Sequence, residues 1–411
     1  VARAALDRLT ADPQLPMVES QPLIFVERDG VSYTLLGTAH VSKLSAQTAI
    51  AMASEAQFDA IAVELCPSRA QAMRDPNAWR RIDLFEVFRS GKTGMVMASL
   101  ALGGYQRRIA EQFGIEPGAE MKGAMEQAER DGKSLFLIDR EVGITLKRVY
   151  SAVGFWQRAM IASGLLASLL SRETISEDEI EKLKEGDMLE STFSEFAERS
   201  PQLFVPLISE RDEFMALNLR TQSAQSGARH VLAVVGAGHL KGLTESLKNG
   251  GGDAQLRLLE LNEIPKPSWL ANLLPWAVLV FVVGGIALGF YQSPDLGWGL
   301  VVKWVVTTGV FSALGTLIAF GHPLTILAAL LGAPLTTLHP GIGIGMLTGL
   351  VELWARKPSI DELERLRDDV LSVKGWWRNR VARAFLVFVL SSLGAMLGMY
   401  VAGFQIFRAL T

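Results

Sequence analysis

His40 and His239 are the residues best placed by type and spacing to do chemistry. Each closes a Gly-x-x-His string, Gly37-Thr38-Ala39-His40 and Gly236-Ala237-Gly238-His239, and each string follows a short apolar run. In open α/β sheets, ligands collect at the carboxyl ends of strands. Glu64 follows the apolar run Ala60–Val63, and Asp139 follows Leu135–Ile138. If these runs are parallel neighbours, one rim presents two imidazoles and two carboxylates. Such a set suits a divalent transition metal (Zn, Mn, Co or Fe), held by His40 and His239 with Glu64 or Asp139. A metal of this kind activates water and polarises a carbonyl or phosphoryl group. Arg140 and Arg211 are candidates to hold developing negative charge, and Glu210 is a candidate base. The catalytic candidates are therefore Glu64, Asp139, Arg140, Glu210 and Arg211. No HExxH-type spacing is present, so the metal expectation rests on the inferred geometry. Quieter readings stand beside each residue. The glycines permit turns, Glu64 caps a helix or pairs with an arginine, and Asp139-Arg140 is a structural ion pair.

The elements that must position these residues follow in chain order. Two β-prone runs, Leu23–Glu27 and Ser32–Gly37, flank Asp29-Gly30, which is a hairpin signal. Ser42 or Ser45 is the expected cap of a helix running to about Gln57. Ala60–Val63 reads as a short buried strand, residues 68–130 as mainly helical, and Leu135–Ile138 as another short strand. A helix over Ile144–Leu170 is expected, and its apolar stretch Met160–Leu170 suggests a packing or dimer face. Pro201 and Pro206 are expected to break the chain before a helix carrying Glu210, Arg211 and Asp212. Arg229–Val235 is the clearest strand, a helix follows from Leu240 to Leu247, and Gln255–Leu261 reads as a last strand. Strands alternating with helices indicate an α/β domain with a mostly parallel sheet and an antiparallel start. Gly91-Lys92-Thr93-Gly94 lacks the spacing of a phosphate loop and follows a helix-like run rather than a strand.

Composition narrows the classes. Residues 1–270 carry a formal net charge of -6 and residues 271–411 one of +3, so neither part has the basic excess expected of a nucleic-acid binder. The single cysteine, Cys66, rules out an intrachain disulfide framework and a cysteine-rich zinc site, and it reads as a packing residue. The first residues contain no apolar run of the signal-peptide type, so the N-terminal domain is expected to stay on the side where it is made.

The second part of the chain is organised differently. Trp304–Val351 is a 48-residue stretch without Asp, Glu, Lys or Arg. At ~1.5 Å per residue a straight helix of that length would exceed two hydrocarbon cores, so it must fold back within a membrane. Residues 1–270 are expected to form a cytosolic domain and 271–411 a multi-pass α-helical membrane domain. Spans are expected near 273–290, 301–320 and 384–404. The 352–383 loop holds eight Lys/Arg and is placed in the cytosol by the positive-inside rule. An even number of crossings must then precede it, which makes 321–351 a broken, re-entrant hairpin interrupted at Ala333–Pro340. A full crossing through 324–350 is the alternative. His322-Pro323 and His339-Pro340 mark the entries to that segment and either tie helix ends or line a path. Gly341, Gly343, Gly345 and Gly349 offer small surfaces for close helix packing. Trp376 and Trp377 beside Arg378 and Arg380 read as an interfacial anchor.

Together these strings resemble the TraB/PrgY group of membrane proteins, within the wider Tiki/TraB superfamily. The resemblance runs through GTAHVS at Gly37–Ser42, VELC at Val63–Cys66, PGAEM at Pro117–Met121 and LIDREVGITLKR at Leu137–Arg148. It continues in SERD at Ser209–Asp212, VVGAGHLKG at Val234–Gly242, GHPL at Gly321–Leu324 and HPG at His339–Gly341. The resemblance implies an α/β domain with paired Gly-x-x-His motifs at its site. Some superfamily relatives are metal-dependent proteases. On that pattern His40, Glu64 and His239 are central, and Arg140, Arg148, Glu210 and Arg211 support them. TraB/PrgY relatives are linked with the shutdown of peptide pheromone signals, which points to a peptide as substrate or ligand.

The expected protein is a multi-pass bacterial inner-membrane hydrolase with a cytosolic metal site and a lipid bilayer as its setting. A homo-oligomer such as a dimer is expected, and no nucleic acid partner. A non-enzymatic regulator that sequesters a peptide or partner protein is the second reading. A transporter using the histidine-flanked membrane segment is the third.

Overall fold

The computed structural model describes residues 21–38, 43–75, 83–91, 93–94, 96–97, 100, 118–154, 157, 199–265, 269–338, 343–370 and 372–411. They fall into two compact units. The first holds the described residues up to 75, those of 118–157 and those of 199–265. The second holds those of 83–100 and those from 269 onward.

The first unit is built on a five-stranded sheet of order β1-β2-β5-β3-β4: β1 Leu23–Arg28, β2 Val31–Thr38, β3 Ala60–Val63, β4 Ser134–Leu137 and β5 His230–Gly236. The β1–β2 pair is antiparallel and the remaining pairs are parallel. Asp29 and Gly30 make the hairpin turn, both at positive φ (52° and 74°), the backbone that a two-residue turn between twisted strands requires. Strands β3 and β5 are apolar and almost wholly buried because helices cover both faces. These helices are α1 Lys43–Ser54, α2 Pro67–Arg74, α3 Ala119–Arg130, α4 Val142–Ala152, α5 Glu210–Ser226, α6 Leu240–Asn249 and α7 Ala254–Asn262. One core layer joins Tyr33, Leu35, Phe136 and Val235 to Met215, Leu219, Leu243 and Leu247 of α5 and α6. The other joins Leu36, Ile61 and Val63 to Ala49, Met52, Met121 and Met125 of α1 and α3.

Several local expectations are corrected here. Residues 255–261 are helical, not a strand. Asp253 accepts from the amides of Gln255 and Leu256 and starts α7, and Leu258 and Leu261, three residues apart, pack on Phe214 and Leu217. Pro201 and Pro206 do not break the chain. Pro201 takes the first turn of a helix, where its missing N–H costs nothing, and Pro206 sits in a π-helical turn, Val205–Ser209, that runs directly into α5. Ser45 lies inside α1 and donates to Gln21 at 3.0 Å rather than capping it; Ser42 lies outside the described residues. The helix expected from Ile144 ends at Ala152, where Val153 turns extended. Met160–Leu170 lies outside the described residues.

The second unit is helical: α8 Trp269–Gln292, α9 Pro294–Ile318, α10 Pro323–Thr337, α11 Ile344–Arg356, α12 Ile360–Asp369, α13 Val373–Arg378 and α14 Arg380–Leu410. Among the described residues α9 and α14 are long and apolar enough to cross a membrane, and α10 and the 276–292 part of α8 are shorter apolar helices. α9 and α14 run antiparallel with their backbones in contact: a Cβ at Gly315 would overlap the Leu390 carbonyl, and one at Gly394 the Phe311 carbonyl. Buried hydroxyls tie the same seam. Ser312 donates to the Ser391 carbonyl at 3.1 Å, and Thr348 Oγ1 of α11 lies 2.8 Å from Ser391 Oγ.

The interruption expected over Ala333–Pro340 starts later, since α10 continues through Pro334 to Thr337. His322 serves as a helix end: its Nδ1 accepts from the Leu324 amide at 3.2 Å. Behind it, buried Glu352 accepts from the His322 amide at 2.8 Å and from Thr325 Oγ1 at 2.6 Å, and pairs with Arg356 at 2.8 Å. His339 and Gly341 lie outside the described residues, whereas Gly345 and Gly349 do pack closely, against Phe388 and Phe88. Phe88, from the helix Leu84–Arg89, also stacks on Phe385 at 5.2 Å, which brings residues expected to belong with the sheet into the core of the helical unit.

Candidate active site

Three neighbouring parallel strands deliver the site. β3 ends into Glu64, whose amide still donates to the Val234 carbonyl at 3.1 Å. β4 ends into Ile138 and Asp139, whose amides donate to Val63 and Leu65 at 3.2 and 3.3 Å. β5 ends at Gly236, and one 3-10 turn, Ala237–His239, carries His239 back over the strand ends. Above this rim stands the first turn of α5. The π turn before it sets the phase that brings consecutive Arg211 and Asp212 onto the same cluster.

Arg211 is the hub. Its Nη2 donates to Glu64 Oε1 at 2.6 Å and to Asp139 Oδ2 at 2.9 Å, and its Nε donates to Asp139 Oδ1 at 2.9 Å. Its Nη1 lies 3.2 Å from His239 Nε2. Glu64 uses its second oxygen to accept the Gly236 amide at 2.7 Å, which locks β3 to the glycine of the second histidine motif. His239 is buried between two carboxylates: Nδ1 is 2.5 Å from Asp212 Oδ1 and Nε2 is 3.3 Å from Glu64 Oε1. Asp212 approaches because residue 242 is glycine; a Cβ there would overlap the Asp212 carboxylate.

Charge explains the protonation of this cluster. Burial works against the imidazolium of His239, but the Glu64 charge and the hydrogen bonds to Asp212 and Glu64 outweigh it and raise its pKa to about 10. Burial raises the Asp212 pKa, and the hydrogen bond from His239 opposes that rise. Burial also works against the Arg211 charge, but Asp139 and Glu64 more than offset it and hold the guanidinium charged. Glu64 and Asp139 therefore share the Arg211 charge, and His239 bridges Glu64 and Asp212. Arg69 reaches Asp139 at 3.9 Å from the more exposed side.

Arg140 and Glu210 belong to an adjoining cluster. Arg140, almost wholly buried, donates to Glu210 at 2.8 Å, Thr145 Oγ1 at 3.0 Å, and the Leu261 and Pro206 carbonyls at 3.1 and 2.8 Å. Arg148 closes on both Glu210 oxygens at 2.6 Å. Burial works against the Glu210 charge, but these two arginines lower its pKa overall. Arg140 thereby ties the end of β4, the π turn and α7 together, while its amide donates to Asp139 Oδ1 at 2.8 Å.

The structure thus brings Glu64, Asp139, Arg211 and His239 into one network and sets Arg140, Arg148 and Glu210 beside it. His40 lies outside the described residues. Among the described residues no three His, Cys, Asp or Glu side chains are arranged to hold a metal ion. Two of the expected donors nevertheless fit one. Glu64 Oε1 and His239 Nε2 are 3.3 Å apart, a spacing that two ligands at ~2.1 Å from one ion can share, and Asp212 anchors the far nitrogen as carboxylates do for ligating histidines. Sequence alone misses Asp212 and Gly242. The one available signal is their place in the SERD and GHLKG strings, beside residues that are singled out.

Comparison with known proteins covers both units. A family model described as the TraB/PrgY/gumN family matches residues 22–252, and one described as the TraB family protein C-terminal domain matches 270–411. An uncharacterized protein of Methanocaldococcus jannaschii is 34% identical, over 89% of this chain and 92% of its own length. TraB domain-containing proteins of Homo sapiens and Bos taurus are 30% and 29% identical, over 70% of this chain and 79% of their own lengths. The first model spans every residue of the network around Arg211 and the second the helical unit, and on that match this chain belongs to the TraB/PrgY/gumN family.

Proposed function

We propose that the sheet domain is a metal-dependent hydrolase acting on a carbonyl group, with a peptide as the substrate to test first. The observation that carries this reading is the buried imidazole of His239, anchored by Asp212 at Nδ1 and set with Nε2 3.3 Å from Glu64 Oε1 on the rim that Arg211 ties together. His239 Nε2 and Glu64, with His40 as the third ligand, would hold the ion. When bound, it supplies Lewis acidity for attack on the carbonyl. Asp212 keeps the Nδ1 proton of His239 and so directs Nε2 inward. Arg211 holds the anion that develops on the attacked oxygen. Asp139 is the candidate base, and Arg140 and Glu210 fix the π turn that presents Arg211 and Asp212. The link of TraB/PrgY relatives with peptide pheromone shutdown supports the choice of substrate.

The test is metal content by elemental mass spectrometry on the full chain, beside the His40→Ala/His239→Ala variant, followed by peptide hydrolysis with the loaded protein. Near-stoichiometric metal, lost in a variant that keeps its circular dichroism, is expected. Full metal occupancy in the variant would overturn the ligand assignment. Peptide binding without product across several metals would favour a sequestering regulator.

We also read the helical unit as a multi-pass membrane domain, with the sheet domain and the 352–383 segment in the cytosol and a bacterial inner membrane as the setting. α10 and α11, of 15 and 13 residues, reach only about 20 Å each and suit a re-entrant pair rather than two spans.

A further inference from the structure

We propose that the helical unit binds one anionic phospholipid in the groove between α9 and α14, with Lys303 and Arg408 on its phosphate. This rests on the reading of α9 and α14 as membrane spans. Residues 271–411 hold ten Lys/Arg, and eight of them lie within 352–383. The remaining two are Lys303 and Arg408, 105 positions apart in sequence. The antiparallel crossing brings both to the same end of the bundle and into one groove of about 700 Å³. Val302, Val306 and Ala409 line the rest of it, with Thr307 and Gln405 as further polar groups. Leu300 and Trp304 of the same helix turn to the other side, into the core with Ala402 and Ile406.

Neither cation has an ion-pair partner among the described residues, and Asp295, the carboxylate at this end, pairs with neither. Two exposed cations beside apolar helix faces match a lipid in both its parts, phosphate at the long basic side chains and acyl chain along the valines. A groove of this volume lies within the range of small-ligand sites. The positive-inside rule sharpens the point: these two charges sit at the end opposite the basic 352–383 segment, where a cation is least expected without an anion to meet it.

The test is native mass spectrometry of the detergent-solubilised full chain titrated with phosphatidylglycerol or phosphatidylcholine, beside the Lys303→Gln/Arg408→Gln variant. Wild type is expected to retain one phosphatidylglycerol in preference to phosphatidylcholine, and the variant to retain it roughly tenfold less well or weaker still. A Gly299→Ala variant, whose new Cβ meets nothing within 4 Å, should bind as wild type does. Equal retention of the two lipids, or an unchanged affinity in the folded double variant, would overturn the site. Inorganic phosphate that binds as tightly as the lipid would overturn the lipid assignment. Alkaline carbonate extraction of native membranes separates the two readings. Release of the chain would sink the membrane reading and the lipid site together, whereas a retained chain without lipid preference would sink the site alone.

Discussion

At the scale of single residues, the site depends on how closely Asp212 can approach His239. Gly242 permits that approach, because any Cβ at 242 occupies the carboxylate's place. Gly242→Ala should cost about 1–3 kcal/mol of stability through this overpacking. Calorimetry on Gly242→Ala, Asp212→Ala and the double variant checks the cause. Removing the carboxylate relieves the overlap, so the double variant should be more stable than the sum of the two changes implies. Additive losses would mean that Gly242 matters for another reason. Arg211 is the other sensitive position. Arg211→Leu removes the fixed cation from between Glu64 and Asp139 and should destabilise the domain by about 3–5 kcal/mol, the scale for breaking a buried pair.

At the scale of elements, the π turn and the buried arginine that holds it explain why Arg211 and Asp212 face the rim. Glu210 anchors Arg140 and Arg148, so Glu210→Gln should lower stability by about 3 kcal/mol at neutral pH. The pH dependence has a definite sign. The folded pKa of Glu210 is depressed, so its contribution is present above the unfolded carboxylate value and is lost as pH falls through the folded value. Denaturant unfolding at pH 7 and near pH 3 should therefore show the gap between wild type and Glu210→Gln closing on acidification. A gap that stays constant would remove the charge from the explanation. In the helical unit, the α9–α14 seam depends on glycine in the same way. Gly315→Leu should unfold at lower temperature in detergent than wild type, whereas Gly299→Leu, which meets open space, should not.

At the scale of the whole molecule, the basic 352–383 segment and the uncharged stretch before it make a topology that can be tested. In a Cys66→Ser background, Asp295→Cys and Arg365→Cys should react with membrane-impermeant maleimide from opposite sides of sealed vesicles. Labelling from one side would contradict an even number of crossings before the 352–383 segment. The only native cysteine, Cys66, is buried, with its sulfur 3.3 Å from Ser68 Oγ, so it should react slowly in the native chain.

What the sequence by itself determined is what periodicity and local chemistry encode. Continuous apolar runs mark β3, β4 and β5 to within a residue or so, because strands covered on both faces need no polar alternation. Asp29-Gly30 marks the hairpin, and the long uncharged stretch marks the helical unit. Glu64, Asp139, Arg211 and His239 stand out in the sequence because they sit at strand ends or beside them, and the structure joins the four in one network. What only tertiary structure decided depends on partners distant in sequence. Residues 255–261 are helical because Phe214 and Leu217 await one face of them, a fact no local pattern contains. Arg140 and Glu210 turned from the rim toward the π turn because buried charges go where counter-charges and carbonyls are, here Arg148, Pro206 and Leu261. Asp212 became visible as the partner of His239 only once α5 was set over the end of β5. Lys303 and Arg408 likewise became neighbours only through the close crossing of α9 and α14, since local sequence fixes an element's type and faces while long-range packing fixes which faces meet.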